Sequence, residues 1–408
     1  MKSPVFACLT LLVCGCVAGS LIGCVGVATD GSVATLDVEK AIDNPKAFDL
    51  ADIATDIEFI PLDDSNRDGL LGDIRKIAES KSGFYVTDKE WSAPVRQFDM
   101  RGNFVGTRGR IGRGPDEVIE ISNMAVDRET DNVYIYASDG GSMFLLAYDS
   151  AGALFARYNG VGLNNGDLVF HDGSVVVLKL SPDNGENSTI GTRVPLLEMF
   201  SPDLKRESTI DAVDKGSGKR IVVISPSGPN DIGYIGPGGN VPGILSDSGK
   251  TLIAKEERSD TVFYYKNGVL EPSYILELGS HDLPSGAFGI NPVESAGDSY
   301  AVLNIFESDR YLFVPTHKYK DDADVQLVFD RASGNGFSAV GEDGEVGLFL
   351  GGVRFVPCYI RDNRLVGYMQ ALDIVDNRDR ITQPELKVLA ATLKEESNPV
   401  IVVAKLRN

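Results

Sequence analysis

One small motif recurs along this chain and narrows what it can fold into: an aromatic residue ends a strand, a tight turn follows, and a second strand returns. It is clearest at Phe98-Asp99-x-x-Gly102-x-Phe104 and Tyr148-Asp149-x-x-Gly152-x-Leu154. Shorter echoes are Phe200-Ser201-Pro202-Asp203-Leu204, Tyr265-Lys266-Asn267-Gly268-x-Leu270 and Phe329-Asp330-x-x-x-Gly334. The leading aromatics lie 50, 52, 65 and 64 residues apart. Gly, Asn and Asp dominate the turns because they tolerate the backbone angles that a tight reversal needs. Hairpins at a near-constant period mark a repeat whose units cannot bury their faces alone.

Between the hairpins run short segments rich in Val, Ile, Tyr and Phe, bounded by Gly, Asp, Asn and Pro, which predict strands. Examples are Val133 to Ala137, Ser174 to Leu180, Arg220 to Ser225, Thr261 to Tyr265, Tyr274 to Leu278, Tyr311 to Pro315, Val325 to Phe329 and Val353 to Ile360. Many are continuously apolar instead of alternating, as expected for sheets covered on both faces. Five hairpins with strand material left at both ends predict six units of four strands. The expected fold is therefore all-β, a six-bladed β-propeller with four-stranded blades, in which radial repetition leaves only short protected edges. Ile57 to Leu62 and Pro399 to Lys405 are expected to complete the terminal blades and close the ring.

Helical periodicity is rare. Thr382, Pro384 and Glu385 supply an N-cap, an early proline and a capping-box acid ahead of Leu386, Leu389, Ala390 and Leu393, predicting one short C-terminal helix. A helical turn is also expected within Ala41 to Ala54.

The N-terminus carries a different signal. Lys2 precedes a mostly apolar, uncharged run to Thr29, and the first acid is Asp30. Such a run predicts an export signal, with an uncleaved membrane anchor as the competing reading. Leu21-Ile22-Gly23-Cys24 resembles the bacterial lipobox, whose cysteine is diacylated and becomes the first mature residue; Val13-Cys14-Gly15-Cys16 is a poorer second match. The expected division is a signal peptide over 1–23, a small-residue tether over 24–46 and the propeller over 47–408. Cys8, Cys14 and Cys16 would leave with the signal. Lipidated Cys24 and a lone Cys358 then allow no internal disulfide, and Cys358 is expected to serve as a small buried hydrophobe.

Net charge of −20 and a pI near 4.6 exclude nucleic acid as a partner, because that contact needs a basic footprint. The expected partners are the membrane, through the lipid anchor, and a glycan, peptide or protein ligand.

With FDMRGNF and GRGPDE in one stretch from Phe98, the chain resembles the six-bladed β-propeller lipoproteins of Bacteroidetes, related to NHL-type propellers. Leu50-Ala51-Asp52-Ile53, Ile57 to Leu62, Ser259 to Phe263, Leu278-Gly279 with Leu283-Pro284, and Asn398 to Val402 extend the resemblance over most of the chain. It departs where Asp116 follows Pro115 and Val118 follows Glu117. The resemblance implies an exported, lipid-anchored protein of the outer membrane. With only Asp30 after the lipobox in place of an acidic run, its periplasmic or surface face stays open. The family has no single activity, so the fold does not carry one with it.

Candidate chemistry is sparse. Gly109-x-x-Gly112-x-Gly114 has neither dinucleotide nor P-loop order and is expected to shape an inter-strand loop. Arg113 and Glu117 on that loop are candidate ligand contacts, because loops on a rigid scaffold often carry function. Asp64-x-Asn66-x-Asp68-Gly69 matches half of a calcium loop, but Gly72 and Arg75 stand where later ligands belong, so a polar turn is expected. No cofactor or metal site is assigned, and calcium is the ion kept open. His171, His281 and His317 lack zinc spacing, and no G-x-S-x-G elbow exists. Arg310, His317, Arg354 and Arg361 sit in or beside apolar strands and would favour a carboxylate, a sulfated sugar or a peptide terminus if aimed at the axis. Arg310, His317 and Arg354 join Arg113 and Glu117 as candidate ligand-binding residues. The expectation is a cell-envelope binding or scaffold module, with catalysis left undecided. The rival is a metal-dependent propeller enzyme, a lactonase-like hydrolase or a lyase, with acids, Asn or His converging on an axial ion.

Overall fold

Each predicted hairpin joins the third and fourth strands of one antiparallel sheet. The computed structural model describes residues 33–408 apart from 115–116, 162–164, 180–194, 212–242, 257–258 and 284–296. The expected signal peptide, Cys24 and the strand Arg220 to Ser225 lie outside the described residues. Six sheets form the ring. Blade one runs Ile74–Glu79, Gly83–Asp88, Val95–Asp99, Phe104–Arg108, and blades two to five repeat the pattern, inner strand first. Their inner strands are Glu120–Val126, Asn165–His171, Ile244–Asp247 and Tyr300–Val302, the last continued by Phe306–Glu307.

Blade six closes the ring as the two chain ends required. Val353–Arg361 is innermost, followed by Arg364–Met369 and the C-terminal strand Val400–Leu406, and the N-terminal strand Ala54–Pro61 forms the outer edge. The two end strands pair antiparallel from Ala54 with Leu406 to Pro61 with Val400. Burial follows the same ring. Six apolar clusters each lie between neighbouring blades: Tyr85 and Val95 of blade one meet Ile121 and Met124 of blade two, and Ile60 and Ile401 of blade six meet Ile77 and Phe84 of blade one. Every sheet is thus apolar on both faces, which is why its strands do not alternate in sequence.

The expected tether joins the ring earlier than its composition suggested. Ala34–Asp37 adds a parallel strand to the outer edge of blade four, helix Val38–Ile42 crosses to the next blade, and Pro45–Ala47 pairs parallel with the edge of blade five. Leu36, Val38 and Ala41 are fully buried there. Three apolar side chains among small and polar residues suffice because the blade edges offer unpaired backbone groups. The segment straps three consecutive blades before forming the edge of the last.

The C-terminal helix spans Pro384–Ala390 and buries Leu386 and Ala390. Its N-cap residue is Gln383, not Thr382, and makes no side-chain cap. The Thr382 N–H instead donates to the Gly351 carbonyl, so Thr382 belongs to the preceding turn, while Pro384 fits the first helical turn, where no N–H is needed. A second short helix, Ala371–Asp376, precedes it, and the turn expected within Ala41 to Ala54 is the 3-10 turn Leu50–Asp52. No helix among the described residues is long and apolar enough to cross a membrane.

Candidate functional site

Alternation of strand direction gives the ring two different ends. Inner-to-second and third-to-outer connections emerge at one end, the short-turn end; second-to-third and blade-to-blade connections emerge at the other and include the longest, such as 370–399 in blade six. A cavity of about 320 Å³ lies on the axis, lined by side chains from all six inner strands.

Irregular pairing aims those side chains. The inner strands of blades one, two, three and six each slip register at Ile74/Lys76, Ile121/Asn123, Asn165/Leu168 and Pro357/Tyr359, and that of blade five is broken at Asn304. A bulge redirects a side chain and leaves an N–H without its ladder partner. Here Asn123, Asp167 and Asn304 each accept the N–H of the residue that follows, at 2.8, 2.7 and 2.8 Å. Three blades therefore use the same device to turn an amide or acid toward the axis.

Two of these groups share a cation. Lys76 of blade one donates its ammonium to Asp167 Oδ1 at 2.6 Å, Asn123 Oδ1 at 2.9 Å and the Leu168 carbonyl at 2.7 Å. The axial oxygens that a metal enzyme would need thus converge on a tethered ammonium. No cluster of three or more His, Cys, Asp or Glu among the described residues is arranged to hold a metal.

The short-turn end is closed by blade six. Its inner hairpin turns through Asp362 and Asn363, both with positive φ (50° and 60°), the pattern of a type I′ turn. Arg361 reaches Asp247 of blade four at 2.9 Å, and Asp362 reaches Arg128 of blade two at 3.7 Å. Blades two and four both lie two places from blade six, so these contacts cross the axis. Around this cap Glu79 binds Arg128 at 3.2 Å, Arg364 at 3.1 Å and the Tyr359 hydroxyl at 3.3 Å, and His171 meets Asp247 at 3.0 Å. Burial pushes the Tyr359 hydroxyl far above its ordinary value, so it stays a proton donor. These side chains span the short-turn end of the cavity, and the long connections ring the other end.

None of the five residues expected to contact ligand lines the cavity. Glu117 folds back to accept the Gly114 N–H at 2.7 Å; a Cβ at Gly112 would sit 2.0 Å from its Oε2, so a side chain there would displace the carboxylate. Arg113 is exposed on the same loop. Arg310 pairs with Asp330 at 2.9 Å, His317 with Asp324 at 3.0 Å, and Arg354 lies 3.7 Å from Glu345. Of Arg310, His317, Arg354 and Arg361, Arg361 alone lines the cavity. Cys358 lines it too instead of packing fully in the core; burial pushes its thiol up to about 12, which keeps it protonated and unreactive. In the calcium-like run, Asn66 caps its own 3-10 turn by accepting the Asp68 N–H at 2.9 Å. The three histidines meet different acids and do not converge.

The residues that sequence reasoning missed are Arg75, Lys76, Asn123, Asp167 and Asn304. One signal pointed to two of them: Asn123 and Asn304 each stand 25 residues before a hairpin aromatic, Tyr148 and Phe329. Aligning the repeats on their inner strands would have exposed that match.

A family model described as a domain of unknown function, DUF4934, matches residues 33–405. No curated protein matches the chain in sequence. A crystal structure of a candidate exported protein from Bacteroides fragilis is similar at 16% identity and TM-score 0.61, covering 90% of this chain and 99% of that one. A DUF4221 family member from Bacteroides vulgatus gives 11% identity and TM-score 0.47 over 87% and 98% of the two chains. Likeness at this identity speaks for the fold.

Proposed function

The chain belongs to the DUF4934 family, and from that premise we propose that it is a binding module of the bacterial cell envelope, lipid-anchored at the outer membrane through Cys24. Its ligand, a glycan, a peptide or a segment of a partner protein, enters the axial cavity from the long-connection end. One observation carries this reading: each carboxylate lining the cavity is already held by a cation. Asp167 is held by Lys76, Glu79 by Arg128, and Asp247 by Arg361. Acids committed this way orient their neighbours and are not poised as general bases or ion ligands. The walls between them, including Val169, Phe170, Val356 and Pro357, match the recipe of a small-ligand site, mostly apolar with few fixed polar groups. The lipobox at Leu21 to Cys24, and the exported character suggested for the similar Bacteroides fragilis protein, support the location.

The chain's only tryptophan provides the test. Trp91 is exposed and lies beside Arg75, which lines the cavity. Titration of the whole chain in mild detergent with peptide, glycan and protein fractions of the envelope is expected to shift its emission saturably for one of them. Stoichiometric calcium or zinc in the purified protein, with no such response, would overturn the reading in favour of the metal enzyme. Location has its own check. Cys24→Ala is expected to move the protein from the detergent phase to the aqueous phase of a phase-separating surfactant, and unchanged partitioning would refute the anchor.

A further inference from the structure

We propose that Arg75 anchors an anionic group in the axial cavity, and that the ligand class is a compact carboxylate with an apolar body. This rests on the binding-module reading and narrows it. Four cations line the cavity, Arg75, Lys76, Arg128 and Arg361, against three carboxylates, Glu79, Asp167 and Asp247. The three acids are taken by the other three cations. Arg75 is the cation left over.

Its surroundings hold it without neutralising it. Nη1 donates to the carbonyls of Ile121 and Ser122 and Nη2 to that of Lys89, each at 2.9 Å. A guanidinium has five N–H donors, so two remain without a protein partner among the described residues. The acid that influences it most is Asp88, whose carboxylate accepts from the Gly72 and Glu90 N–H groups and faces Arg96 at 3.8 Å. Burial pulls Arg75 below the ordinary arginine value, the mark of a cation that an arriving anion would relieve. Three carbonyls fix the rotamer, so the fork is ordered before a ligand comes, and that lowers the cost of binding.

The neighbourhood sets the rest of the ligand. Arg75 sits at the blade-one bulge, toward the long-connection mouth, with its guanidinium carbon 5.3 Å from the Trp91 ring centre. Trp91 is 54% exposed and offers a flat apolar face at the rim. The apolar lining residues with exposed surface include Val169, Phe170, Val356 and Pro357. A volume of about 320 Å³ lies at the small end of ligand sites and suits one leucine-sized body. The net charge of −20 would not steer an anion inward, so affinity must come from the short-range fork and from burial of the apolar body.

Two sources share this chemistry, a free small carboxylate and the C-terminus of a polypeptide. The probes are N-acetyl-leucine, its amide, acetyl-Ala-Ala-Leu with a free carboxylate, and its amide, each titrated into the whole chain with Trp91 emission as readout. Wild type is expected to bind the acids at least about tenfold more tightly than the amides. Arg75→Gln is expected to abolish that preference. Arg75→Lys should keep part of it, because the charge stays while the fork is lost. A tripeptide acid about tenfold tighter than N-acetyl-leucine identifies a polypeptide C-terminus, and equal affinity identifies a free carboxylate; both support the anchor. The acid–amide comparison on wild type does not depend on whether the variants fold. Equal binding of acid and amide overturns the anionic class and leaves the binding-module reading standing. Retention of the preference in Arg75→Gln, or no saturable response to any probe at millimolar concentration, also overturns the inference.

Discussion

Replacing Glu79 by alanine is expected to destabilise the domain by about 3 kcal/mol, the lower end for a buried pair, because it strands partly buried cations in place. The Glu79 side chain is only 5% exposed, and it holds Arg128 of blade two, Arg364 of blade six and the Tyr359 hydroxyl. One carboxylate therefore ties its own blade to both neighbours at the closed end of the cavity. Removing it takes the counter-charge from Arg364 and leaves Arg128 with only Asp362, 3.7 Å away. Chemical denaturation followed by circular dichroism measures the loss. Glu79→Gln should fall between wild type and Glu79→Ala, since an amide oxygen still accepts from Tyr359 but carries no charge. A loss below about 1 kcal/mol for Glu79→Ala would mean that water reaches the arginines and the pairs behave as surface pairs.

Lys76→Met is expected to cost about 3 kcal/mol, the lower end for breaking a buried ion pair, because Lys76 and Asp167 are each a quarter exposed. Methionine keeps the length and apolar stem but withdraws the three bonds that join blade one to blades two and three. Asp167 would then stay charged against an apolar wall, with only the Leu168 N–H and the Asn123 amide as donors. The double variant Lys76→Met with Asp167→Leu removes that stranded charge and is expected to recover most of the loss. Denaturation midpoints of the wild type, both single variants and the double variant close the cycle. Additive losses would show that the two residues do not act as a pair.

These two positions also mark where sequence reasoning stopped. Within Ile74 to Glu79 the outward and inward residues depend on a bulge that moves Arg75 and Lys76 out of strict alternation. A one-residue slip reverses the face of every side chain after it, and nothing local in Ile74-Arg75-Lys76 announces the slip. The tether was misjudged for a related reason. Val33 to Ala47 has too few large apolar residues to predict order, and it is ordered by backbone pairing to edges that exist only once blades four and five have formed.

What the sequence by itself determined is the ring. Turn chemistry at Asp99 to Gly102 and Asp149 to Gly152, the spacing of the hairpins, and apolar runs at both ends are local or periodic properties, and they suffice for six blades closed by two chain termini. Only the tertiary structure decided which charges meet on the axis. Arg75 and Arg113 are the same residue type 38 positions apart, yet one lines the cavity and the other lies exposed on a loop. The difference arises from ring closure and register, which bring six inner strands to a common axis and leave the connections outside it.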